Sequence, residues 1–249
     1  MSAKKAYTYR VNAEYIDFRK KVSLVALSNF ILSTAGKNAD ENGFGLLELQ
    51  SRNYTWVLSR FVIDMCRFPV ENETIIVETW IQDVGVAFTT RNFRIATDEG
   101  EVLGYASSSW AVIDMETRRS ISLTTLSGLQ RFIVAETTPI GVPQRIANIK
   151  GTIQNKFNVQ YSDIDVNGHA NSLHYIQWIS DCFSLDFYRS HVIKRFEINF
   201  LKELIFGDEG NVFHEEKQPN NHSFQIVSRD IGIACRARII FEENKEVWQ

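Results

Sequence analysis

Asp165-Val166-Asn167-Gly168-His169-Ala170-Asn171 gathers a carboxylate, an imidazole and two amides into seven residues, directly ahead of a helix-forming run. Such groups can take a proton from water, return it to a leaving group, and donate to negative charge developing on a carbonyl oxygen. Helix capping accounts for one or two of them, because Asp and Asn oxygens accept the orphan N–H groups of a first turn. It does not account for the histidine or for the whole run. All five histidines (His169, His174, His191, His214, His222) lie in the second half. His174 falls off the helical face of His169, and His214 sits in a charged stretch that reads as a solvated edge. No His, Asp and Glu set has metal-ligand spacing, so neither a metal nor a cofactor is expected.

The elements that must position this run are strands for the most part. Thr74-Ile-Ile-Val-Glu-Thr-Trp-Ile81, residues 88–97 and residues 104–114 are rich in β-branched and aromatic side chains, and a turn at Asp98-Glu-Gly100 joins the last two. Cys235, Ala237, Ile239 and Phe241 alternate with Arg236 and Arg238, a half-buried strand pattern. Helices are expected over residues 22–33 and 171–188, which makes the chain α+β. Its 249 residues are 44% hydrophobic and 23% charged, a globular balance that excludes a disordered or collagen-like chain. The net charge of −3 leaves no global basic field for nucleic acid or an anionic membrane. The apolar stretch 22–32 is too short to span a bilayer, and no signal-like segment precedes it. Cys66, Cys182 and Cys235 are odd in number and widely spaced, which fits a reducing, cytoplasmic setting.

The chain also reads as a duplication. Tyr9-Arg-Val-Asn-Ala-Glu-Tyr-Ile-Asp-Phe18 aligns with Phe157-Asn-Val-Gln-Tyr-Ser-Asp-Ile-Asp-Val166 at an offset of about 148, and Arg60-Phe61-x-Ile63 aligns with Arg195-Phe196-x-Ile198 at about 135. The Gly- and Asn-rich segment 36–45 absorbs the difference. Pro139 and Pro143 mark an extended linker between the copies. Asp165, Asn167 and His169 have Asp17, Arg19 and Lys21 as counterparts. The aspartate is thus present twice, as a structural part would be, while the asparagine and histidine appear once, as a reacting part would.

The motif Asp165 to Asn171, followed by Tyr175-Ile-Gln-Trp178, resembles that of the acyl-ACP thioesterases, a family with two hotdog domains in one chain. Tyr54-Thr-Trp-Val-Leu-Ser-Arg60, Ala106-Ser-Ser-Ser-Trp-Ala-Val112 and Thr117-Arg-Arg119 extend the resemblance through the first half. It implies two tandem hotdogs, each a long helix wrapped by a curved antiparallel β-sheet. The first, residues 1–134, would gauge the acyl chain; residues 135–152 would link it to a catalytic second domain, residues 153–249. The implied activity is hydrolysis of acyl-acyl carrier protein to free fatty acid, with the carbonyl polarised at a helix N-terminus and water or a carboxylate activated. Asp165, Asn167 and His169 match the family's polar residues. The segment Ile198-Asn-Phe-Leu-Lys-Glu203 makes Glu203 the counterpart of its glutamate. If Glu203 lies on a strand between Leu201 and Ile205, apolar neighbours shield it and suit it to act as a general base. Plant members carry a cysteine after that glutamate; here the residue is Leu204.

Alternatives of other classes are a hotdog acyl-CoA thioesterase, a hydratase and a non-catalytic acyl-binding protein. A hydratase motif resembles Asp-x-Asn-Pro-x-His, and this chain lacks the proline. An acyl-binding regulator would want a DNA-reading module, for which little chain is expected before the first strand near Tyr9. Acyl carrier protein is acidic, so Arg145, Lys150, Lys156, Lys194, Arg195, Arg236 and Arg238 are candidates for a locally basic docking surface. Leu27, Ile31, Trp56 and Phe61 are candidates for acyl-pocket lining, and a homodimer is compatible with this reading. Chemistry is expected to run without a thiol. Turnover should therefore survive replacement of Cys66, Cys182 and Cys235 by alanine together; its loss in a variant whose melting curve is unchanged would overturn that expectation.

Overall fold

In the computed structural model, which describes residues 3–126 and 128–244, Ser23 starts the first helix by accepting the Ala26 N–H at 3.1 Å. This helix, α1 (Leu24–Glu41), buries Leu24, Leu27, Phe30, Ile31, Ala35 and Ala39, a spacing of three and four that puts one apolar stripe against a sheet. Its buried hydroxyls cost little, since Ser28 and Thr34 donate to the carbonyls of Leu24 and Phe30 one turn back. The helix continues well beyond residue 33. Most of the segment read from sequence as a Gly- and Asn-rich insertion is helical, because Asn38 and Ala39 are buried and the exposed Gly36 costs only about 1 kcal/mol.

The chain divides into two units between Pro143 and Gln144. The first contains β1 (Lys5–Arg10), α1, α2 (Leu46–Gln50), β2 (Tyr54–Met65), β3 (Thr74–Val84), β4 (Thr89–Thr97) and β5 (Val102–Asp114). Its strands pair antiparallel in the order β1-β3-β4-β5-β2. The second contains β6 (Thr152–Asn158), α3 (Ser172–Ser180), α4 (Leu185–Ser190), β7 (His191–Phe200), β8 (Glu209–Gln218), β9 (Asn221–Ser228) and β10 (Gly232–Glu243). Its order is β6-β8-β9-β10-β7, again antiparallel throughout. The two orders are the same once each strand is matched to its counterpart. The single helix expected over 171–188 is two pieces, because Ser184 caps a new helix through the Phe187 N–H at 3.1 Å.

The segment around the two prolines carries backbone without helix or strand, and each end is fastened within its own unit. Trp80 Nε1 donates to the Glu136 carbonyl at 2.7 Å in the first. In the second, Asn199 Oδ1 accepts the Ile146 N–H at 2.8 Å, and Asn199 Nδ2 donates to the Gln144 carbonyl at 3.0 Å.

The duplication is repeated bond for bond ahead of each main helix. Asp17 N–H donates to the Lys21 carbonyl and Asp165 N–H to the His169 carbonyl, both at 2.8 Å. Lys20 and Gly168 share the left-handed backbone, with φ of 58° and 78°. Isolated bridges Ile16–Val22 and Ile164–Ala170 close both loops. Each loop is then tied to the segment after the long strand, by Val22 N–H to the Pro69 carbonyl at 2.8 Å and by Ala170 N–H to the Leu204 carbonyl at 2.7 Å. Backbone conformation therefore separates two glycines of similar exposure. Gly36→Ala should stabilise the protein by about 0.5–1 kcal/mol, since nothing lies within 4 Å of the added carbon in a helix. Gly168→Ala should destabilise it by about 1–2 kcal/mol, because an L side chain strains a left-handed residue. Urea titration of both variants checks the opposite signs.

Candidate active site

The loop before α3 is built by one carboxylate. Asp165 Oδ1 accepts the Asn167 N–H at 2.8 Å and the His169 N–H at 3.4 Å, while the Asp165 carbonyl takes the Gly168 N–H at 3.0 Å. The left-handed backbone at Gly168 lets the chain turn between these bonds. No protein atom lies within 4 Å of where its Cβ would be, so within the chain itself the glycine is required by the turn. The following donors are also engaged: Asn171 N–H on the Asp163 carbonyl at 2.8 Å, and Leu173 N–H on the capping Asn171 Oδ1 at 3.0 Å. These bonds spend the backbone donors of residues 167, 168, 169, 171 and 173 on the loop's own shape.

Of the four residues singled out from sequence, three stand on this loop and the fourth meets it. His169 Nε2 lies 3.4 Å from Glu203 Oε2, with the two side chains 22% and 39% exposed. Asn167 is half-buried on the same loop, and Asp165 stands beneath as its brace. The setting of Glu203 differs from the expected one. Strand β7 ends at Phe200, where the N–H groups of Leu201 and Lys202 both turn onto the Ala234 carbonyl, at 2.9 and 3.1 Å. Leu201 and Ile205 consequently face solvent and Leu204 turns into the core. Glu203 is not on a strand between shielding apolar neighbours; its carboxylate is open to water beside His169.

In the first unit the positions of His169 and Glu203 are held by Lys21 and Phe68, and Asp17 is paired with Arg19 through Nε at 2.9 Å. The first loop has the same frame without the histidine–glutamate pair.

Among the described residues no group of His, Cys, Asp and Glu could hold a metal ion. The thiols are poorly placed for nucleophilic work. Burial pushes Cys182 up to about 12 and raises Cys235 further, and Cys66 lies exposed in the first unit. Leu204, where plant members carry a cysteine, is fully buried.

Sequence reasoning left Asp163 unmentioned and gave His174 only a weak role. The structure pairs them: His174 Nδ1 is 3.0 Å from Asp163 Oδ1, and Asp163 Oδ2 accepts the Gln160 N–H at 2.8 Å. The first unit has Ala26 and Tyr15 there, so only the second unit pins its turn to its helix in this way. His214 does not stand on a solvated edge. It is half-buried, stacked on Phe224 at 4.9 Å, and bonded through Nε2 to His222 Nδ1 at 2.9 Å; burial lowers both histidines below the usual range.

The basic candidates separate into two groups. Arg195 and Arg238 both converge on the buried Glu197, at 2.7 and 2.9 Å, and Arg236 donates to the Ile146 carbonyl at 3.2 Å. Arg145, Lys150 and Lys156 are exposed on the segment leading into and along β6, while Lys194 is half-buried. In the first unit Leu27, Ile31 and Phe61 are fully buried, and Trp56 is half-buried with its indole N–H on the Phe44 carbonyl at 2.9 Å. Beside them Arg91 is buried, held by Asn38 Oδ1 at 2.8 Å and Thr79 Oγ1 at 3.3 Å. Burial among these neutral partners pulls its guanidinium down to about 10.

Comparison with known proteins bears on the family and the fold. Residues 3–125 match the profile of the acyl-ACP thioesterase N-terminal domain, and residues 146–243 match that of its C-terminal domain. A crystal structure of an acyl-ACP thioesterase from Bacteroides thetaiotaomicron is 34% identical, with a TM-score of 0.91 over 96% of this chain and 98% of that one. The 12:0-ACP thioesterase of Umbellularia californica shares the double-hotdog fold at a TM-score of 0.87 and 19% identity, over 98% and 99% of the two chains. Among curated relatives, oleoyl-acyl carrier protein thioesterase 2 of Arabidopsis thaliana is 23% identical over 89% of this chain and 64% of its own length. The dodecanoyl-[acyl-carrier-protein] hydrolase of Cinnamomum camphora is 25% identical over 79% and 55%. The chain thus spans a little over half the length of these chloroplastic relatives.

Leu204→Cys should give no gain in turnover and should lower stability by about 1–3 kcal/mol, since a thiol at 204 faces the core and fills less of it. A faster variant in steady-state kinetics would show that a cysteine there can reach the reacting carbon.

Proposed function

Since this chain belongs to the acyl-ACP thioesterase family, we propose that it hydrolyses the thioester joining a fatty acyl chain to the phosphopantetheine of acyl carrier protein, releasing free fatty acid and the carrier thiol. The observation that carries this reading is the His169–Glu203 pair at 3.4 Å, which stands on a loop whose twin in the first unit has Lys21 and Phe68 instead.

Glu203, open to water, takes a proton from the attacking molecule. The water oxygen bonds to the thioester carbon, and the carbonyl oxygen gathers the negative charge. Asn167 is the donor for that charge, a contribution worth about 3 kcal/mol of barrier for one well-placed group. The tetrahedral intermediate then expels the pantetheine thiolate, and the proton taken by Glu203 returns to sulfur by way of His169. Asp165 makes no contact with substrate. It holds Asn167 and His169 in place through the backbone bonds already described.

The acidic carrier would dock on local basic charge, for which the exposed Arg145, Lys150 and Lys156 are the candidates that remain. The first unit is assigned the acyl-chain gauge and the second the chemistry. A cytoplasmic setting and a homodimer belong to the same proposal. Among the described residues no helix is long and apolar enough to cross a membrane.

The test is hydrolysis of a panel of acyl-ACPs beside the matching acyl-CoAs. Wild type should release free acid from the carrier-bound substrates. His169→Ala and Glu203→Ala should each lower kcat by about 10²–10⁴-fold, and Asn167→Ala by about 10²–10³-fold. If no member of the panel is cleaved by the wild-type protein, the proposal is wrong; if only the CoA esters are, the carrier is not the partner.

A further inference from the structure

Glu203 stands on a segment with no regular structure, yet it must keep its place beside His169. The backbone on either side of it is held by one phenol. Tyr175, on the second turn of α3 and 2% exposed, accepts the Leu204 N–H at 3.1 Å and donates to the Lys202 carbonyl at 3.4 Å. A hydroxyl has one donor and two lone pairs, so it can serve both groups at once. Burial raises the phenol well above its ordinary range, which keeps it protonated and able to donate.

The first unit lacks every part of this arrangement together. Tyr175 corresponds to Leu27, which has no hydroxyl. Leu204 corresponds to Pro69, which has no N–H to give, and Glu203 corresponds to Phe68. The other ties of this segment are kept in both copies. Leu201 and Lys202 N–H reach the Ala234 carbonyl as Cys66 and Arg67 N–H reach that of Leu103, and Ala170 reaches Leu204 as Val22 reaches Pro69. The fold therefore manages without the phenol where the carboxylate is absent.

We propose that Tyr175 is a positioning residue for Glu203, its hydroxyl clamping residues 202 and 204 so that the carboxylate stays within reach of His169. The inference rests on Glu203 acting as the base. The ring itself is seated by Trp178 and Phe200, at 5.4 and 5.5 Å between centroids, and those contacts persist when only the oxygen is removed.

The experiment compares Tyr175→Phe with Glu203→Gln on an acyl-ACP that the wild-type protein cleaves, with each kcat measured well below that variant's melting temperature. Tyr175→Phe should lower kcat about 10- to 100-fold, as expected of a misplaced reacting group, and leave KM within about twofold. In the partly active background Glu203→Asp, whose carboxylate is already displaced, adding Tyr175→Phe should cost less than it does in the wild type. If Glu203→Gln keeps wild-type turnover, the reading of Glu203 falls and the clamp falls with it. If Glu203→Gln is crippled while Tyr175→Phe has wild-type kcat, the clamp alone is wrong. A Tyr175→Phe variant whose loss lies in KM, or whose loss is the same in the Glu203→Asp background, also overturns it.

Discussion

The bond from the Asn167 N–H to the Asp165 carboxylate, with its counterpart from Arg19 to Asp17 at the same 2.8 Å, fixes how the chain enters each main helix. The polypeptide arrives from a strand that pairs at the sheet's edge and must reverse into a helix that lies on the sheet. A free loop would make that reversal in many ways, each with its own helix position. One carboxylate accepting local backbone donors removes that freedom, and a left-handed residue completes the turn. Residues 167 and 169 are held on a turn of defined shape as a result.

Rigid placement of one partner is useful only if the other is equally fixed. The segment bearing Glu203 has no strand ladder of its own, since β7 has ended. It is tied to the loop before α3 through Ala170 and Leu204, and to the sheet through Ala234. These few backbone bonds do what a sheet register does elsewhere. They leave a carboxylate exposed enough for water to reach and restrained enough to face a single imidazole.

Much of this was legible in the residues. The offset match between the halves foretold two units with the same strand order, because the matched residues are those that make the turn and begin the long strand. The contrast between Asp17-x-Arg19-x-Lys21 and Asp165-x-Asn167-x-His169 marks the aspartate as the shared part, and in both turns it accepts the N–H two residues on. Other features depend on where elements stop, which local pattern records poorly. Leu201, Glu203 and Ile205 alternate like a strand, but the chain leaves the sheet at Phe200 and the alternation shields nothing. Gly36 and Asn38 read as loop residues and are helical, because packing of the last turns of α1 outweighs their propensity. The bonds of Tyr175 join residues 27 and 29 positions apart, so no window along the chain contains them.

The first unit's turn keeps its aspartate but answers it with Arg19, so the carboxylate that frames the loop is neutralised by its own neighbour. That pairing makes the unit a natural control for the second: the same backbone turn, carried by the same molecule, with Arg19 and Lys21 in place of Asn167 and His169. It also suggests how such a protein diversifies. Once a frame is stabilised by bonds that the reaction does not use, the positions projecting from it become free to drift, and descendants can lose or acquire reactivity without first having to relearn how to fold.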